Sequence, residues 1–374
     1  MELTAGDVAD LAMGAQLFGS GGGGRTDAAE RMVRRVLTHL GPLPVVAAAD
    51  LPRDSSVACV GAVGSSTVMV ERLPGAEEFV RAARSLERHV GSPLVAVQPL
   101  EIGGVNGLLG VAAAAWLGLP LVDGDAMGRA FPRLDQTVLQ GRSPVVAAVS
   151  DPTGNTAILE CLDGAALERV VRASLPALGA WAGLAMHHDT AARYARCSIN
   201  GSVSRALTLG GLLRRAGSEP GGREAFLRSA RAVSLFRGRV LEVRRDRSSE
   251  RTGGVASVQH LVDPARTLRI EFADEYVLAL DDGVDVARVP DIICGLDDRT
   301  WRPISVEELA VNEMIEVIRL PAPSRWDDPE LRDRVGLETY GLADFGPDTG
   351  AADHTVDHTG GGADAPAGGR GVGE

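Results

Sequence analysis

The chain contains no lysine, so its 38 residues of fixed positive charge are all arginine. No Schiff base to a lysine can form, which excludes a lysine-anchored pyridoxal phosphate enzyme and a lysine aldolase. A P-loop is excluded as well, because it needs a phosphate-binding lysine. Cysteine is scarce: Cys59, Cys161, Cys197 and Cys294 are the whole supply. None lies in a Cys-x-x-Cys pair, which argues against structural zinc and a disulfide framework. Aromatic residues make up only 4% of the chain, so Ala, Val, Leu and Gly must fill the core. No window of about 18 apolar residues is long enough to span a membrane. The opening Met-Glu-Leu-Thr-Ala-Gly-Asp lacks the basic and apolar regions of a secretory signal, and the expected location is cytoplasmic. Positive charge is also short overall. A net charge of −12 argues against nucleic acid or an anionic membrane as partner. What remains is a globular chain of 374 residues with room for two domains.

Apolar spacing predicts a helix over 5–18, a Gly-rich break at 19–24, and a second helix from Thr26 to Leu40. Strands are expected at Pro44–Ala48, Val57–Val63, Leu94–Pro99 and Leu119–Val122, with helices at Pro74–Val90 and Asn106–Leu117 between them. That alternation implies a parallel or mixed sheet. Val145–Ser150 and Thr156–Cys161 flank Asp151-Pro-Thr-Gly-Asn155, a hairpin turn. Ala165–Met186, Val203–Ala216 and Arg223–Val233 read as helices. From Leu235 short strand-like runs follow one another closely, as in a small barrel or sandwich. The expected fold is α/β: an N-terminal α/β domain (1–234) with a mixed or parallel sheet, then a smaller β-rich, barrel-like domain (235–345). Residues 346–374 have almost nothing to bury and are expected to be a disordered tail.

Asp123-Gly-Asp-Ala-Met-Gly-Arg-Ala-Phe-Pro132 places two carboxylates and a guanidinium just past a buried strand. In open α/β sheets ligands bind at the carboxyl ends of strands. Asp123 and Asp125 can serve as an acid/base pair or as oxygen ligands of one divalent metal. The plain alternative is that Asp123 caps a turn and Asp125 pairs with Arg129. Arg129 can clamp a substrate carboxylate, beside Met127 and Gly128. Glu101-Ile-Gly-Gly-Val-Asn-Gly107 occupies the preceding strand end. Glu101 can be a base or a metal ligand, Gly103 and Gly104 can present backbone amides, and Asn106 can equally be a helix cap. Two acidic, glycine-rich strand ends in succession favour one shared site. Gly19-Ser-Gly-Gly-Gly-Gly24 fits G-x-G-x-x-G, but a helix rather than a strand precedes it, which speaks against NAD. A backbone cradle built by Gly21, Gly22, Gly23 and Gly24, or a simple connector, are equal alternatives. His187-His188-Asp189 reads as a helix end near the C-terminal dipole. His354 and His358 fall in the tail.

These segments, with Val68–Pro74, Leu235–Arg239, Ile270–Glu275, Val289–Cys294 and Leu320–Pro323, resemble the DUF917 family, described as the S-methyl-thiohydantoin desulfurase domain family. The resemblance spans about Asp7 to Tyr340. It implies an α/β domain followed by a β-rich one. It also implies a hydrolase of a five-membered cyclic imide-like ring, in which water replaces sulfur at a ring carbon to give a hydantoin and a thiol. Relatives are associated with hydantoinase and oxoprolinase-type proteins, so an accessory subunit of such a complex is the alternative, and self-association is left open. Two departures stand out. Arg25 follows the glycine run where the family often has Asp, and Asp-Gly-Asp-Ala-Met-Gly-Arg replaces the usual Asp-Ala-Asp-Gly-Met-Gly-Arg.

Overall fold

The computed structural model describes residues 1–139, 141, 143–246 and 253–342. The expected tail at 346–374 lies outside the described residues. Ten strands precede residue 201: β1 (Glu2–Leu3), β2 (Leu43–Val46), β3 (Ser56–Gly64), β4 (Leu94–Pro99), β5 (Leu121–Val122), β6 (Gly124–Asp125), β7 (Val145–Ser150), β8 (Thr156–Cys161), β9 (Trp181–Thr190) and β10 (Ile199–Asn200). Eight form one mixed sheet in the order β1-β2-β5-β4-β3-β9-β7-β8, while β6 and β10 pair with each other. The run β2-β5-β4-β3 is parallel, and the flanking pairings are antiparallel.

The pattern of β3 shows why it is central. Ala58, Val60 and Ala62 point into one hydrophobic cluster, and Val57, Cys59 and Val63 point into another. Period-two alternation with apolar residues on both faces suits a strand covered on both sides. The covering helices are α1 (Val8–Phe18), α2 (Asp27–Leu40), α3 (Ser66–Glu71), α4 (Glu77–Val90), α5 (Gly104–Leu117), α6 (Gly164–Ser174), α7 (Ala191–Cys197), α8 (Ser202–Ala216) and α9 (Gly222–Ala230). Helix α5 is apolar nearly all round and buried, as a helix lodged between the sheet and α1 and α2 must be.

One segment differs from its expected form. Ala165–Met186 is not mostly helix: α6 ends at Ser174, and β9 runs through Trp181–Thr190 between β3 and β7. A buried apolar run such as Ala182-Gly-Leu-Ala-Met186 carries no periodicity that separates strand from helix. Its alternation becomes visible only in the packing, with Trp181 and Ala185 facing one cluster and Ala182, Leu184 and Met186 the other.

The second body is an eight-stranded antiparallel sheet made of β11 (Val233–Asp246), β12 (Gly253–His260), β13 (Thr267–Ala273), β14 (Glu275–Asp281), β15 (Val284–Arg288), β16 (Ile292–Asp297), β17 (Pro303–Ile304) and β18 (Met314–Leu320). Register slips in β11 at Ser234/Phe236 and Val240/Glu242 let it bend. The sheet curls around Phe236, Val240, Val258, Ile270, Phe272 and Val317. A short helix, α10 (Pro329–Arg332), follows it.

The glycine run is a point of contact between the two bodies. Buried Ser20 donates to the Ile293 carbonyl (2.7 Å) and accepts from the Ile293 amide (3.2 Å). The Tyr276 amide donates to Ser20 O (2.7 Å), and the Val306 amide to Gly21 O (2.9 Å). A Cβ on Gly21 would lie 2.5 Å from the Tyr276 ring, and its φ is +86°. No side chain fits there, and few L residues tolerate that backbone.

Candidate active site

The carboxyl ends of the parallel strands, the glycine run and the edge of the second sheet enclose a cleft of about 630 Å³. Gly21, Gly22, Gly23 and Gly24 line it, together with Glu101, Asn106, Met127, Phe131 and, from the second sheet, Asp274 and Glu275.

Glu101 sits just past β4 and is 7% exposed. Its Oε1 accepts from Asn106 Nδ2 (2.7 Å) and its Oε2 from the Phe131 amide (3.3 Å). Burial raises its pKa to about 8. The Asn106 and Phe131 hydrogen bonds oppose that rise, the charge of Asp125 adds to it, and Arg129 works against it. The acid is therefore largely protonated at neutral pH. Asn106 lies in the first turn of α5 and is not a cap. Its side chain accepts from the Ala62 amide (2.7 Å) and donates to the Ala62 carbonyl (3.1 Å), which ties α5 and Glu101 to the end of β3.

The amides of Gly23 and Gly24 donate to no protein acceptor among the described residues. Gly23 O accepts from the Val105 amide (2.7 Å), so the run docks on the start of α5. A Cβ on Gly104 would come within 2.1 Å of Gly23 O. The run is thus both a wall of the cleft and a close-packed connector. Gly103 and Gly104 form the backbone behind it: Gly103 packs against Ala130 and the Phe18 carbonyl.

The Asp123–Pro132 segment is placed differently from Glu101. Asp125 is 0% exposed, and its Oδ2 accepts from the amides of Ile102 (3.0 Å), Met127 (3.2 Å) and Gly128 (2.6 Å). Burial lifts its pKa to about 6 against those hydrogen bonds. It makes no pair with Arg129 in this geometry. Asp123 faces α8, where it accepts from the Ser204 amide (3.0 Å) and hydroxyl. Arg129 is 0% exposed and reaches into the second body. It donates to the carbonyls of Asp291 (2.5 Å) and Tyr276 (3.3 Å) and lies over the Phe131 ring. Burial lowers its pKa, while Tyr340, Glu275 and Asp291 raise it. None of these three side chains lines the cleft. Gly128 packs against Pro323 and Ile199, whereas Met127 lines the cleft and accepts from Trp326 Nε1 through its carbonyl (2.9 Å).

The metal candidates Glu101, Asp123 and Asp125 therefore do not converge. Among the described residues no group of three His, Cys, Asp or Glu side chains is arranged to hold a metal ion. His187-His188-Asp189 lies in β9 and not at a helix end: His187 adopts φ +56° where the β3–β9 register slips. Burial and Arg193 hold the His187 pKa down to about 4, against Asp189, and Nε2 meets the Thr137 hydroxyl (3.1 Å). The thiols of Cys59 and Cys294 are pushed up to about 12 by burial, so neither is a thiolate nucleophile at neutral pH.

Among the cleft residues that escaped sequence reasoning are Asp274, Glu275 and two arginines. Arg133 is held by Asp135 (2.8 and 2.7 Å) and Arg172 by Glu168 (2.7 Å). Arg133 stands four residues past Arg129 and could have been weighed with it. Nothing on the exposed face of α6 marks Arg172. Arg25, the departure after the glycine run, is exposed and pairs with Asp27 (3.0 Å) and Glu308 (3.3 Å) at the mouth. A largely apolar groove of about 450 Å³ adjoins the cleft, sharing Gly24, Arg25, Ser66, Met69 and Val105 with it, and is lined further by Ala28, Met32 and Trp116, with Arg31 and Arg35 also in its lining.

Comparison with known proteins divides the chain ahead of the boundary between the two sheets. Residues 6–161 match the model of the S-Me-THD-like N-terminal domain, and residues 163–348 that of the S-Me-THD-like C-terminal domain. The junction falls between β8 and α6, so the second matched segment contributes β9 to the first sheet. A crystal structure of a protein from Chromobacterium violaceum shares the fold with a TM-score of 0.77 at 24% identity, covering 93% of this chain and 98% of that one. No curated protein matches the chain.

Proposed function

We propose, from the premise that the chain belongs to the S-Me-THD-like family, that it is a hydrolase of a five-membered cyclic thioimide or imide ring. The observation that carries this reading is Glu101: a buried carboxylic acid, held neutral, that lines a cleft beside two unspent backbone amides.

An S-methyl-thiohydantoin carries an S-methyl group on a ring carbon double-bonded to nitrogen. Glu101 donates its proton to that nitrogen as water adds to the carbon. The resulting carboxylate takes one proton from the added water. Glu101 then protonates the sulfur, the carbon–sulfur bond breaks, and the remaining hydroxyl proton returns to Glu101. The products are a hydantoin and methanethiol, and the acid is restored. A group that both gives and takes protons works best with a pKa near the working pH, which is what burial does to Glu101. The Gly23 and Gly24 amides are donors for the ring carbonyl or the developing oxyanion. Arg133, Arg172 and, at the mouth, Arg25 are the cations in reach of a substrate carboxylate, and Arg129 serves to join the two bodies. The adjoining groove suits an apolar ring substituent.

The test is to incubate the purified full-length chain with S-methyl-thiohydantoins and hydantoins, following thiol release and ring opening. Thiol release that is lost in Glu101→Gln supports the reading. Ring opening without thiol release makes the protein a cyclic amidohydrolase. Silence toward every ring overturns the proposal in favour of an accessory role beside a hydantoinase or oxoprolinase-type partner.

A further inference from the structure

Four arginines border a second pocket, of about 610 Å³, which shares no lining residue with the cleft. Arg196 comes from α7, Arg205 from α8, Arg231 from the end of α9, and Arg325 from the segment after β18. None of the four has an ion-pair partner among the described residues, although the chain carries twelve more acidic than basic groups, with 50 Asp and Glu against 38 Arg. Elsewhere in this molecule arginines are commonly paired, as Arg214 is with Asp10 (2.6 Å) and Arg237 with Asp298.

Assembling like charges without counter-charges is unfavourable, the more so where the groups are partly buried. Arg205 lies over the Phe18 ring, half-buried, and its pKa is lowered by burial and by Arg231. The Nε of Arg325 is buried and has no acceptor among the described residues. Ser198 adds an independent sign: it lines the same pocket, is 3% exposed, and its hydroxyl has no partner among the described residues. Buried donors without acceptors are costly, and a bound anion with several oxygens satisfies them together. The planar guanidinium fork is matched to phosphate and carboxylate oxygens.

We infer that this pocket is a binding site for a small multiply charged anion, carrying at least two phosphoryl or carboxylate groups, separate from the catalytic cleft. Arg205 and Arg325 hold its inner end, Ser198 donates a hydrogen bond, and the exposed Arg196 and Arg231 close over the outer end. The pocket walls Ile199 and Pro323 press on Gly128, so the ligand sits behind the loop that carries Met127 into the cleft.

Isothermal titration of the full-length chain at low ionic strength tests this, with pyrophosphate as the phosphoryl probe and citrate as the carboxylate probe. One-to-one binding of either probe is expected, and the tighter of the two identifies the class. Arg205→Gln and the double variant Arg196→Gln/Arg231→Gln should each weaken it tenfold or more. The double variant alters exposed side chains only, so it stays informative if Arg205→Gln misfolds. Arg214→Gln removes one positive charge elsewhere and should leave binding within twofold. Absence of binding, or weak binding that all variants share with Arg214→Gln, would overturn the inference. A salt-sensitive dimer that the double variant dissociates, with neither anion bound, would overturn it too and assign the arginines to a second copy of the chain.

Discussion

Glu101 and Asp125 stand past the ends of neighbouring parallel strands, both buried, with opposite surroundings. Asp125 is ringed by three backbone amides on one oxygen and sealed from the cleft. Its work is to fold the strand end. Glu101 receives one amide at 3.3 Å and one side-chain donor, and it lines the cleft. Three amides oppose burial and leave Asp125 with a pKa of about 6, whereas the thinner shell leaves Glu101 at about 8. At neutral pH one is mainly a carboxylate and the other mainly an acid. The amides around Asp125 therefore offset more of the cost of burial than the two donors around Glu101 do.

The sharpest way to break this comparison is Glu101→Gln. It keeps the shape and the acceptor for Asn106 but removes the proton. Turnover should fall by about 10²- to 10⁴-fold, while the stability measured in urea changes by less than about 1 kcal/mol. The pH profile gives the same test without a mutation. A general acid with a pKa of about 8 loses its proton above that value, so kcat/KM should decline on the alkaline side and stay flat below it. Stability has the same sign. The pKa of Glu101 is raised on folding from 4.5, so its contribution is full below 4.5 and is lost as pH rises through about 8. An alkaline limb that persists in Glu101→Gln would assign it to another group.

Asp125→Ala should act on the other side of the comparison. It leaves the amides of Ile102, Met127 and Gly128 buried without an acceptor. The expected loss is about 3 kcal/mol or more, read from urea unfolding. Activity falls only with the folded fraction. A variant that stays fully folded and is inactive would move Asp125 into the chemistry.

The groove sharpens the comparison on the substrate side. Rings bearing a benzyl substituent should be turned over roughly 10- to 200-fold better than methyl-bearing ones. Ala28→Phe fills the groove from α2 and should abolish that preference while sparing the methyl substrate. Equal loss for both substrates would show that the groove does not hold the substituent.

How much of this could be read from the chain differs by element. The alternation of β3, β4 and α5 is explicit in the residues, and Glu101 was placed at a strand end by it. The Asp151–Asn155 turn was equally plain, because Asp151 receives its own turn's amides and side chains. Strand β9 was not legible, since its apolar run is buried on both faces and its neighbours are far away in sequence. Nor was the split between Glu101 and Asp125, because an acidic side chain beside glycine looks the same whether the glycine amides face it or face elsewhere. Arg129 illustrates the same limit. A guanidinium in a motif reads as a ligand clamp, but beyond the adjacent Ala130 carbonyl its acceptors are carbonyls at residues 276 and 291, and only the docking of the second sheet brings them there.

Asp123→Ala is the smallest of the expected effects and the most discriminating for the segment that looked most like an active site. Asp123 accepts from the amide and hydroxyl of Ser204 in the first turn of α8, as a capping carboxylate does. Losing such a cap costs about 1 kcal/mol, and a half-exposed position lets water replace part of the loss. Urea unfolding should therefore shift slightly, and kcat/KM on an S-methyl-thiohydantoin should stay within about twofold, less than about 0.5 kcal/mol of barrier. A drop of tenfold or more with unchanged stability would mean that Asp123 turns from α8 into the cleft when substrate binds. The end of β5 would then be a second source of catalytic groups, and the contrast with the end of β4 would no longer hold.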